Sequence, residues 1–589
     1  MKIIKKILFL LDARERKQAL LLLLMTIIMA LLDMLGVVSI VPFMAVITNP
    51  DIIETNNYLN KIFLISNKFG VENEDQFLFA LGVSVFLFLV ISLSFKALTS
   101  YVQLRFIQMK RYTIGKRVLE TFLRQPYSWF LNRHSADLGK SILSEVSIIV
   151  GKGLRPLFEL VSRLLIVAVL IIILMLVDIE ITLIVAFIFG GSYGLFFYLT
   201  KNYLYRIGKE RFKNNTLLFT SINEAFGAVK EIKIGGLEKA YIERFSDPAK
   251  VVARKEAYAG ILAQLPRYFL EVLTFGGVIL MILYLMVEKG SFNNAIPLIS
   301  LFVFAGYRLL PSLQSIYSSF NQITFASTAV NSLYDELNSL TKLDIKKDTN
   351  KILLNKSIAL RRVYYNYPNS SKTALKNINF NISARTTVGL MGATGSGKTT
   401  TIDIIIGLLE AQKGTLEVDG KIITKNNSRN WQSSIGYVSQ HIYLVDDSVA
   451  ANIALGTKLN DINYEAVEKS SKTANLHEFV INELPNQYQT KVGDRGIRLS
   501  GGQRQRIGIA RALYHNPSVI VFDEATSSLD NNTEKLVMNA IEKISQNKTI
   551  ILIAHRLSTL KNCDKIFLME KGEIKKEGTF EELITSENN

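Results

Sequence analysis

The stretch "VGLMGATGSGKTTTID" (388–403) holds the residues with the plainest chemistry in the chain. Gly392, Ala393, Thr394, Gly395, Ser396, Gly397, Lys398 and Thr399 fit G-x-x-x-x-G-K-[ST] at every position, after an apolar strand and before a helix that runs on through Thr400. Glycines let such a loop wrap phosphates with its N–H groups pointing inward. Lys398 then reaches the β and γ oxygens, and Thr399 can ligate Mg²⁺. A second stretch, "SVIVFDEATSSLD" (518–530), ends an apolar strand in Asp523 and Glu524. A carboxylate at that place lies beside the phosphate loop and holds the magnesium ion through water, the role expected of Asp523; Glu524 is placed to polarise the attacking water. A third, "TIILIAHRLST" (549–559), leads to His555, in position to contact the γ-phosphate.

A fourth stretch also seeks an anion. "IRLSGGQRQRIGIARAL" (497–513) opens a long helix on a serine and two glycines, with no strand just before it. A helix N-terminus offers free N–H groups and the positive end of the macrodipole. One chain thus has two phosphate-seeking elements and a single phosphate loop.

Other parts of the chain must position these residues. At 589 residues, 49% hydrophobic and with positive mean hydropathy, it is too apolar for one soluble domain. The apolar residues concentrate before about residue 320, in runs of roughly 20, the length of a helix crossing a bilayer. We read six spans, at 19–47, 77–95, 157–177, 179–199, 266–287 and 295–316. Only "DIE" (178–180) joins the third to the fourth, as a tight hairpin. The expected domains are a membrane domain over 1–336, a polar linker over 337–352, and a nucleotide-binding domain over 353–589.

Loop charge gives the orientation. Lys96 to Arg155 contains eleven Lys/Arg against three Asp/Glu, and Lys201 to Gln264 twelve against seven; Thr48 to Gln76 has two against five. Positive loops stay in the cytoplasm. The N-terminus, both long loops and the C-terminal half are therefore expected inside. The net charge of +17 mostly reflects this topology. Its basic residues are scattered through membrane-flanking loops and form no single face, which argues against nucleic acid as a partner. "MKIIKKILFLLDARERK" has no small-residue cleavage site after it and reads as a cytoplasmic elbow. The lone Cys563 excludes an internal disulfide and any CxxC motif.

In order, the phosphate loop, Gln440 in "GYVSQHIYL", "LSGGQ" (499–503), "FDEATSSLD" and "AHRLS" resemble the nucleotide-binding domain of an ATP-binding-cassette transporter. The fold this implies is a six-span α-helical domain followed by an α/β P-loop domain, the type IV exporter architecture of half-transporters. The resemblance implies that ATP is bound by Gly392 to Thr400, with Tyr367 stacking on adenine. Mg²⁺ is held by Thr399, Gln440 and Asp523, hydrolysis uses Glu524, His555 and Gln440, and Asp530 belongs to the segment called the D-loop. It also implies that Leu499, Ser500, Gly501, Gly502 and Gln503 close on ATP held by a second chain, so that one chain makes two half-sites. A homodimer is expected, the Walker-B glutamate and the signature both being intact. The tips "RQPYSWFLNRHSADL" (124–138) and "FGAVKEIKIGGLE" (226–238) resemble coupling helices. Asp494 stands where the family usually has glutamate.

Charged residues in spans point to what is moved. Arg308, in "FAGYRLLPSL", lies about 13 residues into the sixth span, roughly 20 Å along a helix. Arg267 opens the fifth span, four residues from Glu271, and Lys96 closes the second. A shared anionic site is one reading of the three; ion pairing and snorkelling to the headgroups is the other. "NNYLNKIFLISNKFG" (56–70) puts Tyr58, Leu59, Ile62, Ile65 and Phe69 at helical spacing, as in a helix lying on the outer membrane face. Together with "PRYFLE" and "YRLLPS" this is similar to bacterial lipid-linked oligosaccharide flippases, although Ser315 stands where a further arginine is expected. The resemblance implies a bacterial cytoplasmic membrane protein that flips a polyprenyl-pyrophosphate-linked oligosaccharide toward the outer leaflet. A lipid A-type flippase or a multidrug exporter is the alternative, and an ATPase without transport a remote one.

Overall fold

The computed structural model describes the chain apart from residues 1, 40, 41, 44, 45, 48–51, 69, 72, 178, 290–295, 341–349, 369, 371, 525–530, 555–559 and 586–589. It divides into two units, Met1–Gln125 with Arg133–Lys342, and Pro126–Asn132 with Leu343–Asn589.

The first unit is helical among its described residues. The apolar stretches fall in the helices Ala13–Val38, Glu74–Leu123, Arg155–Val177, Ile179–Gly227, Glu238–Lys289 and Ile296–Ser339, except that the first, read as 19–47, runs past Val38 into residues only partly described. Glu74–Leu123 is long and apolar enough to cross a membrane, with a mean hydropathy of 2.6 over its best 18 residues. Helix runs far beyond the apolar stretches, so segments 96–155 and 201–264, read from the sequence as long loops, are largely helical. Hydropathy marks contact with hydrocarbon and is silent about helix in water. Pairs one turn apart, such as Lys116–Glu120 and Arg206–Glu210, line these polar extensions.

The helix Arg155–Val177 is preceded by two π-helical turns, Ser141–Glu145 and Val150–Leu154. Each inserts an extra residue per turn and rotates the faces of the helix beyond it. Glu145 is thereby buried against Arg211, whose two terminal nitrogens donate to its oxygens at 3.0 and 3.4 Å, while Asn215 donates at 2.8 Å.

The basic N-terminal segment is a helix, Lys2–Phe9, with Ile7 buried. Its Lys6 ammonium lies 3.1 Å from Asp335 and 4.6 Å above the Tyr334 ring, both near the end of the Ile296–Ser339 helix. Just after it, buried Glu15 accepts from Lys110 at 3.0 Å, Thr113 at 2.7 Å and Arg117 at 3.0 Å. Burial pushes the Glu15 carboxyl up, but hydrogen bonds from Thr113, the Asp12 N–H and Lys110 outweigh it and hold the group at about 2. Because the folded value is depressed, this stabilisation is complete above the ordinary carboxylate range and is lost as pH falls toward 2. Glu15→Ala strands Lys110, whose side chain is 6% exposed, and should cost about 3 kcal/mol at pH 7. Thermal unfolding of the purified protein at pH 7 and pH 3 is the measurement: the loss should shrink at the lower pH.

The segment expected on the outer face forms the helix Asn57–Asn67, capped by Asn56. Leu59 is buried with Val46, Ile53 and Phe77, whereas Tyr58, Ile62 and Ile65 are exposed. Phe69 lies outside the described residues.

The second unit contains the strands β1 (Ser357–Asn366), β2 (Thr373–Ser383), β3 (Thr387–Met391), β4 (Lys413–Val418), β5 (Lys421–Ile423), β6 (Ile435–Val438), β7 (Val519–Asp523), β8 (Thr549–Ile553), β9 (Lys565–Glu570) and β10 (Glu573–Gly578). They form an antiparallel sheet, β2-β1-β4-β5, and a six-stranded sheet, β10-β9-β3-β8-β7-β6. In the larger sheet β8 is parallel to β3 and β7, and Ile553 pairs with Leu390 on one side and Asp523 on the other. The strand after which the phosphate loop begins and the strand that ends in Asp523 therefore finish at one edge. β7 and β8 are buried along their whole length, as expected of apolar runs in a parallel sheet.

Candidate nucleotide and substrate sites

The phosphate loop leaves β3 at Gly392 and enters the helix Lys398–Ile405 after Gly397. Gly392 has φ +153°, and a Cβ there would stand 2.2 Å from the Met569 carbonyl oxygen. Gly397, at φ +105°, would meet Leu375 at 2.8 Å. A side chain fits at neither place, which is how a loop is kept thin enough to wrap a phosphate. The buried Ser396 hydroxyl has no hydrogen-bond partner, and Lys398 folds back to donate to the carbonyls of Gly392 at 2.8 Å and Ala393 at 3.1 Å. An orphaned hydroxyl and an ammonium resting on its own loop suit a site that accepts phosphate oxygens. Burial lowers the Lys398 ammonium pKa, opposed by Glu524 and Asp523.

Across β8, Asp523 is buried and accepts from the Tyr437 hydroxyl at 3.0 Å. Burial raises its pKa, the Tyr437 bond and Lys398 oppose this, and Glu524 adds to it. Glu524 sits at φ +50°, a strained place for a residue with a side chain, and its N–H donates to Ile553 at 3.2 Å. Gln440 donates its amide to the Glu524 carboxylate, so two residues singled out for hydrolysis meet. Tyr367 packs edge-on against Tyr365 and shares a 3.0 Å hydrogen bond with Thr400 in the phosphate-loop helix. Thr399 is exposed beside the loop. Asp530 and His555 lie outside the described residues.

Two residues beside Asp523 escape sequence reasoning. Tyr437, three residues before Gln440, is visible only as an aromatic in a strand. Asp403 is visible as an acid on an apolar helix face. It is buried, and burial together with the charge of Asp523 pushes its carboxyl up to about 7.

The signature segment forms the helix Gly501–Leu513, with Ser500 as its N-cap. Ser500 and Gln503 make a reciprocal capping box, at 3.2 Å to the hydroxyl and 2.8 Å to the amide oxygen. Gly501 is exposed, Gly502 and Leu499 are buried. The box fixes the first turn without placing any bulk in front of it.

The first unit contains a cavity of about 790 Å³ between the Glu238–Lys289 and Ile296–Ser339 helices, with Lys152 from the second π-turn contributing. Its walls are apolar at Phe275, Leu310 and Pro311 and polar at Gln264, Ser315, Ser318 and Asn321. Arg267 lines it but is not a free cation: its Nε donates to Glu271 at 2.7 Å. Gln314 crosses to the Ala263 carbonyl at 2.7 Å, next to the position where Pro266 interrupts helix bonding.

Two family models match the chain, "ABC transporter" over residues 375–527 and "ABC transporter transmembrane region" over 19–307. An ATP-dependent lipid A-core flippase of Cupriavidus pinatubonensis is 30% identical over 480 residues, covering 80% of this chain and 79% of the relative. The chain belongs to the ABC transporters. A second lipid A-core flippase, from Saccharophagus degradans, is 41% identical over 227 residues, 38% of each chain. A solved bacterial Atm1-family ABC exporter with ATP bound shares the fold, with a TM-score of 0.77 and 19% identity, over 98% of this chain and 96% of that one. The transporter thus joins, in one chain, a helical membrane region to an ATP-binding-cassette domain, the pairing by which this family couples ATP hydrolysis to transport. Of the three cations expected in its substrate cavity, only Arg267 is among the lining residues described. Lys96 is half-buried on the Glu74–Leu123 helix and does not line the cavity. Arg308 is on the Ile296–Ser339 helix, and its side chain lies outside the described part.

Proposed function

We propose that the transporter works as a homodimer in a bacterial cytoplasmic membrane and uses ATP to flip a lipid with a phosphorylated, sugar-bearing headgroup toward the outer leaflet. The observation that carries this reading is the 790 Å³ cavity between two helices of the membrane region, each of which lines it with both polar and apolar side chains. Each sugar hydroxyl costs roughly 4–8 kcal/mol to move from water into hydrocarbon, so such a headgroup does not cross unaided. Amide and hydroxyl groups of Gln264, Ser315 and Ser318 replace its water while acyl chains stay in lipid. Similarity to lipid A-core flippases along most of the chain supports a lipid A-type substrate. A polyprenyl-pyrophosphate-linked oligosaccharide is the second reading, favoured by Arg267 at the cavity wall in the "PRYFLE" pattern.

In the nucleotide site, Lys398 and the loop N–H groups hold phosphates, with Tyr367 beside the adenine. Thr399, Asp523 and Gln440 would hold Mg²⁺, which would neutralise phosphate charge when bound. Glu524 takes the proton of the attacking water, and Ser500, Gly501 and Gly502 of one chain complete the site built on Lys398 of the other. His555 and Asp530 are assigned to the γ-phosphate contact and the D-loop. ATP then bridges the two domains, and hydrolysis removes the bridge.

Proteoliposome flipping of lipid A-core, a polyprenyl-pyrophosphate glycan and a cationic amphiphile tests the proposal; transport of the cationic amphiphile alone would overturn it. Arg267→Ala should slow flipping of the phosphorylated lipids by about fivefold at most, because its partly exposed pair with Glu271 already neutralises it. Basal ATPase should be unchanged. A multidrug exporter would show the reverse, with cationic substrates moved faster by the variant.

A further inference from the structure

Arg267 is balanced by Glu271, which leaves the other cation at the cavity wall to be explained. Lys152 is placed there by the π-turn Val150–Leu154. Its side chain is 32% exposed, and its ammonium lies over the Phe325 ring at 4.6 Å. The nearest carboxylate oxygen, Oε1 of Glu256, is 3.7 Å away, beyond hydrogen-bond reach. That same oxygen lies 3.8 Å from Nε of Arg211. Arg211 is buried, its terminal nitrogens are committed to Glu145, and its Nε has no hydrogen-bond partner. One carboxylate oxygen is therefore shared at almost equal distance by two cations and bonded to neither. On the same cavity wall Asn321 is 1% exposed, and both its amide atoms lack partners.

We propose that Lys152 is the phosphate-binding cation of the cavity and that Glu256 is its displaceable counter-ion. Resting on the reading of this cavity as a headgroup site, the inference adds the residue that recognises the headgroup's phosphate or pyrophosphate. An entering phosphate accepts from the ammonium, whose N–H donors Glu256 leaves unused. Glu256, displaced, closes on Nε of Arg211, which supplies the hydrogen bond that both groups lack. Charge-assisted bonds of 2.7–2.9 Å replace contacts longer than 3.5 Å, so exchange is favoured only when the entering group is anionic. Phe325 holds the ammonium in place by attraction to its ring face, and the ammonium's own charge repels a cationic group at the same place.

Binding can be read by native mass spectrometry on the nucleotide-free full-length protein. The probes are lipid A with both phosphates, its fully dephosphorylated form, and a polyprenyl pyrophosphate without sugar, with inorganic pyrophosphate as competitor. Wild type should prefer each phosphorylated lipid to the dephosphorylated one, and competition by inorganic pyrophosphate alone would assign the site to the free anion. Lys152→Gln should lose that preference by about tenfold or more, the range of one charge-assisted contact, and Lys152→Arg should retain most of it. Glu256→Gln should bind the phosphorylated lipids more tightly, because the competing carboxylate is gone. A purely structural Lys152–Glu256 pair predicts the opposite for Glu256→Gln, weaker binding of all lipids alike, and that result overturns the inference, as does an unchanged preference in Lys152→Gln. If wild type itself shows no preference for a phosphorylated lipid, the headgroup reading of the cavity fails first. Should Lys152→Gln not fold, the Arg and Glu256 variants decide.

Discussion

Glu524→Gln is expected to bind ATP with near wild-type affinity and to hydrolyse it about 10²–10⁴-fold more slowly, the contribution of a positioned general base. The Glu524 carboxylate stands at the end of β7, held by its own N–H to Ile553 and by the Gln440 amide. An amide in its place keeps an oxygen for Gln440 and fills the same volume, so local structure should persist. It cannot take a proton from water. Lys398, the loop glycines and Asp523 are untouched, so nucleotide binding should stay intact and, in the proposed homodimer, the closed ATP-bound state should accumulate. Single-turnover hydrolysis and nucleotide retention on the purified variant measure the two halves separately. Wild-type turnover would remove Glu524 from the chemistry and leave Gln440 or His555 as the candidate.

Mixed dimers should show the second large effect. A Lys398→Ala chain has lost the ammonium proposed to meet the β and γ oxygens, and a Ser500→Arg chain has bulk and charge at the mouth of its signature helix. As homodimers both should be inactive. Combined, they place both lesions in one composite site and none in the other, so hydrolysis should return from the intact site. Equal inactivity of the mixed dimer and both parents would mean that the sites fire only as a pair or that the signature serves its own chain; crosslinking of a photoreactive ATP to Ser500-bearing or Lys398-bearing chains separates these. The capping box at Ser500 makes this a clean comparison, since Ser500→Thr preserves the cap and should keep activity where arginine does not.

A site residue is legible in the sequence to the degree that chemistry constrains its spacing. The phosphate loop needs glycine where a Cβ would strike Met569, and lysine one residue after the last glycine, so Gly392 and Lys398 can be read directly. Asp523 and Glu524 are equally plain, because an apolar run ending in two acids has few other uses. The Arg267–Glu271 pair is visible as a four-residue spacing. Less is visible where geometry depends on rotation along a helix. Lys152 sits in "GKG" just before a span, a signal any solvated lysine could give, and only the two π-turns bring it to the cavity. The helical extensions of the spans are hidden for a related reason: their residues bury against one another as ion pairs, such as Glu145 with Arg211, and hydropathy scores such a helix as a loop. Tyr437 needs the register of β6 and β7 before its hydroxyl can be connected with Asp523.

The ion pair between Lys6 and Asp335 joins positions 329 residues apart. A ribosome adding about 5–20 residues per second takes on the order of 16–66 s to cover that distance. For all that time the Lys2–Phe9 helix has been made and its docking surface has not. Ile7, almost fully buried in the folded chain, lacks that surface for as long, and a short basic helix with an apolar face is of the kind that can rest at a bilayer surface meanwhile. Translation order thus leaves the first helix of the chain without its Tyr334 and Asp335 contacts until nearly the whole membrane unit has been made.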